Sequence, residues 1–143
     1  MLISYFHTLE FILRAVLKNS ENGKLNINYA SLKRGQILPE DSMTNYDSLG
    51  DLIRKYNKLV PENLRIAKEI VEIRDALAHG RVFSDSQSLP MRLFKFSKPM
   101  DGMVTVTFAV TLNRKWFKET THQVYNEIEK ALQTNEQYES KQL

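Results

Sequence analysis

Between Pro61 and Gly80 the chain reads PENLRIAKEIVEIRDALAHG, the stretch that most limits what the whole can fold into. Proline suits the first turn of a helix, where a missing N–H costs nothing, and glycine suits the left-handed residue just past its end. The punctuation predicts one helix over 61–79. At 100° per residue, Ala67, Ile70, Val71, Leu77 and Ala78 fall within about 60° of Arg74, whereas Arg65, Lys68, Glu69 and Glu72 lie more than about 110° away. Arg74 is thus expected to project from the middle of the apolar face. A guanidinium there needs a carboxylate, backbone carbonyls or an anion, because a buried unpaired charge costs several kcal/mol. His79 follows at the helix end, about 7.5 Å further along the axis.

The remaining periodicities place this helix third of four. Leu2, Tyr5, Phe6, Leu9, Ile12, Leu13, Val16 and Leu17 recur by three and four and predict a first helix over about 2–18. Asn19 to Gly23 is its exit. The polar stretch from Lys24 to Met43, with Gly35 and Pro39, reads as a long loop holding a short helical turn near Tyr29 to Lys33. Thr44 or Asn45 can cap a second helix to about Val60, with Tyr46, Leu49, Leu52, Ile53, Tyr56, Leu59 and Val60 on one face. Beyond His79 the period changes to two. Ser84 to Pro90 reads as a loop, and residues 91–97 and 103–112 as the strands of a β-hairpin turning at Pro99-Met100-Asp101-Gly102. In its first strand Arg92, Lys95 and Ser97 interleave with Leu93, Phe94 and Phe96, a pattern that distantly resembles a nucleic-acid surface but fits better a half-exposed strand with its charges outward. Asn113 or Arg114 opens a fourth helix to about Gln133, with Trp116, Phe117, Val124, Ile128, Ala131 and Leu132 inward; residues 134–143 read as a frayed polar tail. The expected architecture is one mainly α domain over 1–133, a four-helix up-and-down-like bundle with a β-hairpin between helices three and four.

Composition narrows the function classes. The 143 residues contain no cysteine, so neither a disulfide framework nor a thiolate metal cluster is expected. His7, His79 and His122 have none of the short spacings of a metal site, and no cofactor is expected. No apolar run is long enough for a membrane span and no basic leader precedes a cleavage site, so the expected location is the cytoplasm. The net charge of +3 permits nucleic acid without requiring it. Where the cations lie says more: Arg74 and Arg81 flank His79, and Arg92, Lys95 and Lys98 follow.

Arg74-Asp75-Ala76-Leu77-Ala78-His79, continued by Gly80-Arg81-Val82, resembles the arginine–polar–spacer–histidine motif of the HEPN family. The resemblance covers about twenty residues together with the helical pattern, and its placement at the end of an amphipathic helix adds to it. It implies a small helical bundle, a homodimer, and a metal-independent ribonuclease of a toxin–antitoxin or phage-defence system, with an antitoxin protein as a possible partner. Family dimers bring both copies of the motif into one cleft at the twofold axis.

The chemistry fits those residue types. Cleaving RNA without a metal requires a proton removed from the 2′-hydroxyl, a stabilised phosphorane and a protonated 5′-oxygen, and leaves a 2′,3′-cyclic phosphate. An imidazole can serve as base or acid near neutrality, and a guanidinium grips phosphate oxygens in two-pronged fashion while staying charged. His79 is the candidate proton-transfer group and Arg74 the candidate phosphate clamp. Asp75 would orient either group or bond across an interface, and Arg81 would contact the substrate backbone. Other readings remain open: Arg74 in an internal salt bridge with Glu10, Asp51 or Asp75, His79 as a helix cap, and the whole chain as a non-catalytic dimeric module binding RNA, nucleotide or a protein partner, or as a structural adaptor.

Overall fold

Helix α1 (Leu2–Ser20) runs through the centre of the molecule because its apolar residues recur on one broad face: Leu2, Phe6, Leu9, Ile12, Leu13, Val16 and Leu17 are all buried. The computed structural model describes residues 1–21, 27–85 and 88–141. Within them lie α2 (Leu49–Leu59), α3 (Glu69–His79), strands β1 (Arg81–Asp85), β2 (Ser88–Phe96) and β3 (Val106–Thr111), and α4 (Arg114–Ser140). The fold is mainly α, with four helices and a small antiparallel sheet between α3 and α4. The most extensive helix contact is that of α1 with α4. Among the described residues no helix is long and apolar enough to cross a membrane.

The helix expected over 61–79 is broken. Pro61 precedes a single 3-10 turn, Glu62–Leu64, Arg65 is extended, residues 66–67 are in neither helix nor strand, and α3 begins only at Glu69. Side chains from elsewhere take over the backbone groups that a helix would have used. The Tyr56 hydroxyl donates to the Leu64 carbonyl (3.0 Å), Lys130 Nζ to the Arg65 carbonyl (3.2 Å), and the Asn57 amide both accepts from the Ile66 N–H (2.8 Å) and donates to its carbonyl (3.0 Å). The break buries Val60, Leu64 and Ile66 together, whereas in a continuous helix Ile66 would point about 160° away from Leu64.

Helix α2 also starts later than Thr44 or Asn45. Ser48 caps it in a reciprocal box with Asp51. Asn45 has another role: its Oδ1 accepts from Arg14 Nη1 at 2.8 Å, and Arg14 also donates to the carbonyls of Ser42 and Asp47 and to Glu10. The Lys18–Asp41 pair (2.6 Å) holds the same loop against α1. Tyr46, expected in the core, is fully exposed. A 3-10 turn at Tyr29–Ser31 answers to the expected helical turn, while the exit around Gly23 and the start of the loop at Lys24 lie outside the described residues.

The expected hairpin is part of a three-stranded sheet of order β1-β2-β3, because residues 81–85, on both sides of the expected loop start at Ser84, pair with β2 (Arg81 opposite Phe94, Val82 opposite Leu93). The turn is of the type with two positive-φ residues, Asp101 at 52° and Gly102 at 74°, and Met100 and Met103 exchange both backbone hydrogen bonds across it. β3 therefore starts at Val106, not 103. Asn113 caps α4 as expected, its Oδ1 accepting from the Trp116 N–H at 2.8 Å. The helix does not fray at Gln133: it continues to Ser140, because Thr134 is buried and Tyr138 packs on the core. Phe117 and Leu132, expected inward, are partly exposed.

Candidate functional site

The candidate site forms where α3 ends against β2. The last helical turn closes with the Gly80 N–H donating to the Ala76 carbonyl at 2.7 Å, after which the chain leaves in extended form, with φ −72° and ψ 173° at Gly80. The glycine is not left-handed, contrary to expectation. A Cβ at that position would lie 2.8 Å from Leu93 Cδ1, 2.9 Å from the Phe94 carbonyl oxygen, and closer still to the Ala76 oxygen. Only a residue without a side chain lets the helix end come this near the strand.

Arg74 is not buried. Its side chain is 39% exposed, and its ion pair is a long one, Nη1 to Asp75 Oδ1 at 3.4 Å. The other acids weighed as internal partners are engaged elsewhere, Glu10 by Arg14 and Asp51 by Ser48 and Arg54. Of the ion-paired arginines among the described residues, Arg14 is the most enclosed, its side chain 12% exposed. Arg74 instead divides two shallow clefts on the α1–α3 side. One, of about 120 Å³, is lined by Ile3, Phe6, His7, Glu10, Leu49, Leu77 and Ala78; the other, of about 160 Å³, by Glu10, Asp47, Ser48, Leu49, Gly50, Val71 and Asp75.

His79 is exposed and lines a different cleft, of about 350 Å³, with Arg81, Phe83, Phe94, Lys95, Phe96, Ser97, Pro99 and Val104. Five residues on a helix are 140° of rotation, which is why Arg74 and His79 open onto different clefts within one copy. Asp75 lies between the two groups, bound to Arg74 and, at 3.9 Å, to Lys95 Nζ. Arg74 and Asp75 are thus brought together, as are His79 and Arg81, but the two pairs are not brought to one cleft. Among the described residues no three His, Asp or Glu side chains gather where they could hold a metal ion.

Three features escaped the sequence reading. His7, noted in the sequence only as lacking metal-site spacing, shares a cleft with Arg74. Arg92, Phe94 and Phe96 occupy one face of β2 while Leu93 and Lys95 occupy the other, and the two rings are part-buried on the face opposite Leu93. Phe83 joins them from β1, its ring centroid 5.7 Å from that of Phe94. The signal available was the parity of 92, 94 and 96 against the single deeply buried Leu93. No protein-family model, curated protein or solved structure compared with this chain matches it.

Proposed function

We propose that the chain is a metal-independent endoribonuclease of HEPN type, working as a homodimer. The observation that carries this reading is the state of the two motif residues: His79 is exposed in a cleft with the cations Arg81 and Lys95, and Arg74 is half exposed with only its sequence neighbour Asp75 as an ion-pair partner. Both cations are accessible to a phosphate.

One copy offers a single imidazole at this helix end, whereas transesterification needs a base for the 2′-hydroxyl and an acid for the 5′-oxygen. A twofold pairing would supply the second, since an isologous contact sets the same patch opposite itself. The α1–α3 face suits such a contact. Ile3 and Phe11, both more than half exposed, lie on either side of His7 along one stripe of α1, and Ile3 lies in the Arg74 cleft with Leu77 and Ala78. In the dimer one His79 would accept the 2′-hydroxyl proton and the other would protonate the leaving 5′-oxygen. The two Arg74 guanidiniums would hold the phosphate oxygens as charge builds on them.

A second reading, a non-catalytic dimeric module that binds RNA, draws on the separation of Arg74 and His79 between clefts. Incubating the protein with mixed-sequence RNA in EDTA decides between them. Cleavage leaving 2′,3′-cyclic phosphate ends, abolished in His79→Ala and in Arg74→Ala, is expected of the nuclease. Activity that persists in His79→Ala, or that needs added magnesium, overturns it.

A further inference from the structure

The outward face of the sheet carries an aromatic cluster that the fold does not use. Phe83, Phe94 and Phe96 lie with ring centroids 5.7 to 6.5 Å apart; Phe83 is 50% exposed, and Phe94 and Phe96 are part-buried beneath it. The opposite face of β2 already makes the contact with α3, through Leu93 and the Lys95–Asp75 pair. Two cations lie over the rings: the Arg92 guanidinium 4.8 Å from the Phe94 centroid and that of Arg81 5.8 Å from the Phe96 centroid. The exposed Phe83 ring thus lies at the rim of a cleft floored by two part-buried rings. His79 lines the same cleft.

We propose that this face is a stacking platform for unpaired bases of single-stranded RNA, which it delivers to His79. The inference rests on RNA being the substrate. Exposed π faces accept a base of any identity, and the guanidiniums over them can exchange an aromatic face for a phosphate oxygen, which they bind in two-pronged fashion. Charge argues against a second copy as occupant. Arg81, Phe83, Arg92, Phe94 and Phe96, the residues that share this face, include two arginines and no acid, so a twofold contact would set four arginines against one another. Single-stranded RNA supplies both what the rings and what the cations seek. A duplex does not, since its bases are stacked on each other and its major groove is too narrow for side chains.

The test is binding by the full-length His79→Ala protein, which keeps the probe intact and separates this proposal from cleavage. The probe is a fluorescein-labelled oligouridine of about ten nucleotides, within the span of one single-strand site, read by fluorescence anisotropy beside the same strand annealed to its complement. Adding Phe83→Ala should weaken single-strand binding by about 5- to 150-fold, the loss expected for one stacked base, while Phe83→Tyr, which keeps the ring, should stay within a few-fold. Arg92→Gln should lower the slope of log affinity against log salt by about one. Unchanged binding in Phe83→Ala, or equal binding of the duplex, overturns the platform. A Phe83→Ala protein that sediments as monomer where the parent is dimer overturns it too, and assigns the face to a contact between copies. If the wild type binds in this Phe83-dependent way yet never cleaves, the nuclease reading fails and the platform stands.

Discussion

Replacing Gly80 by alanine should be among the most damaging changes available on the surface of the candidate site, and the cost can be worked from three atoms. The added methyl would meet Leu93 Cδ1 at 2.8 Å, the Phe94 carbonyl oxygen at 2.9 Å and the Ala76 oxygen more closely still. Leu93 is 3% exposed and has little space to yield, and the Phe94 oxygen belongs to a paired strand. Overpacking of this kind costs about 1–3 kcal/mol. Moving the Ala76 oxygen away sacrifices the Gly80 N–H bond that closes α3, worth a further 0.5–1.5 kcal/mol or so. Against this stands a gain of about 0.4–1 kcal/mol from a stiffer unfolded chain. The net is a loss of about 0.5–4 kcal/mol, measurable by urea unfolding followed by far-UV circular dichroism. Gly50→Ala is the control. It lies inside α2, and a Cβ there would meet nothing nearer than the Ser48 Oγ at 3.7 Å, so it should stabilise by about 0.4–1 kcal/mol. A Gly80→Ala protein as stable as the parent, with Gly50→Ala shifted as expected, would refute the claim that close approach is what the glycine serves.

Tyr56→Phe removes a fully buried hydroxyl that serves the Leu64 carbonyl and lies 2.8 Å from Thr134 Oγ1, and should cost about 1–3 kcal/mol in the same unfolding experiment. Arg14→Ala should cost about 2–4 kcal/mol, since it leaves Glu10, Asn45 and two carbonyls without their donor, whereas Arg74→Ala should stay within about 1 kcal/mol. Equal losses in the two would return Arg74 to a structural role. Acid should destabilise the protein through Asp41: burial alone would raise its carboxyl, but the hydrogen bonds from Lys18 and the Met43 N–H prevail and hold it below the ordinary 3.8. A depressed folded-state value means stability that is present above 3.8 and lost as the pH falls through the lower folded value, so Asp41→Asn should flatten the acid limb of a stability-against-pH curve.

The amphipathic periods of α1 and α4 and the alternation after Gly80 were legible in the residues, because burial of a stripe or a face is a local property of spacing. So were the Asn113 cap and the Asp101-Gly102 turn, whose side chain and φ demands are met within a few residues. What the tertiary structure decided was every place where a distant donor outbid the local ladder. Asn57, Tyr56 and Lys130 captured the backbone of residues 64–66 and ended the expected helix early, and Arg14 drew Asn45 away from capping α2. The same distinction governs the site. A helical wheel can place Arg74 among apolar neighbours, but how deep it lies depends on how closely α1 and α2 approach, and here they leave it half exposed. The parity of Arg92, Phe94 and Phe96 was in the sequence, yet which face α3 would cover was not. There Gly80 is the one residue small enough to let the helix end rest on Leu93, which leaves the phenylalanines on the opposite face.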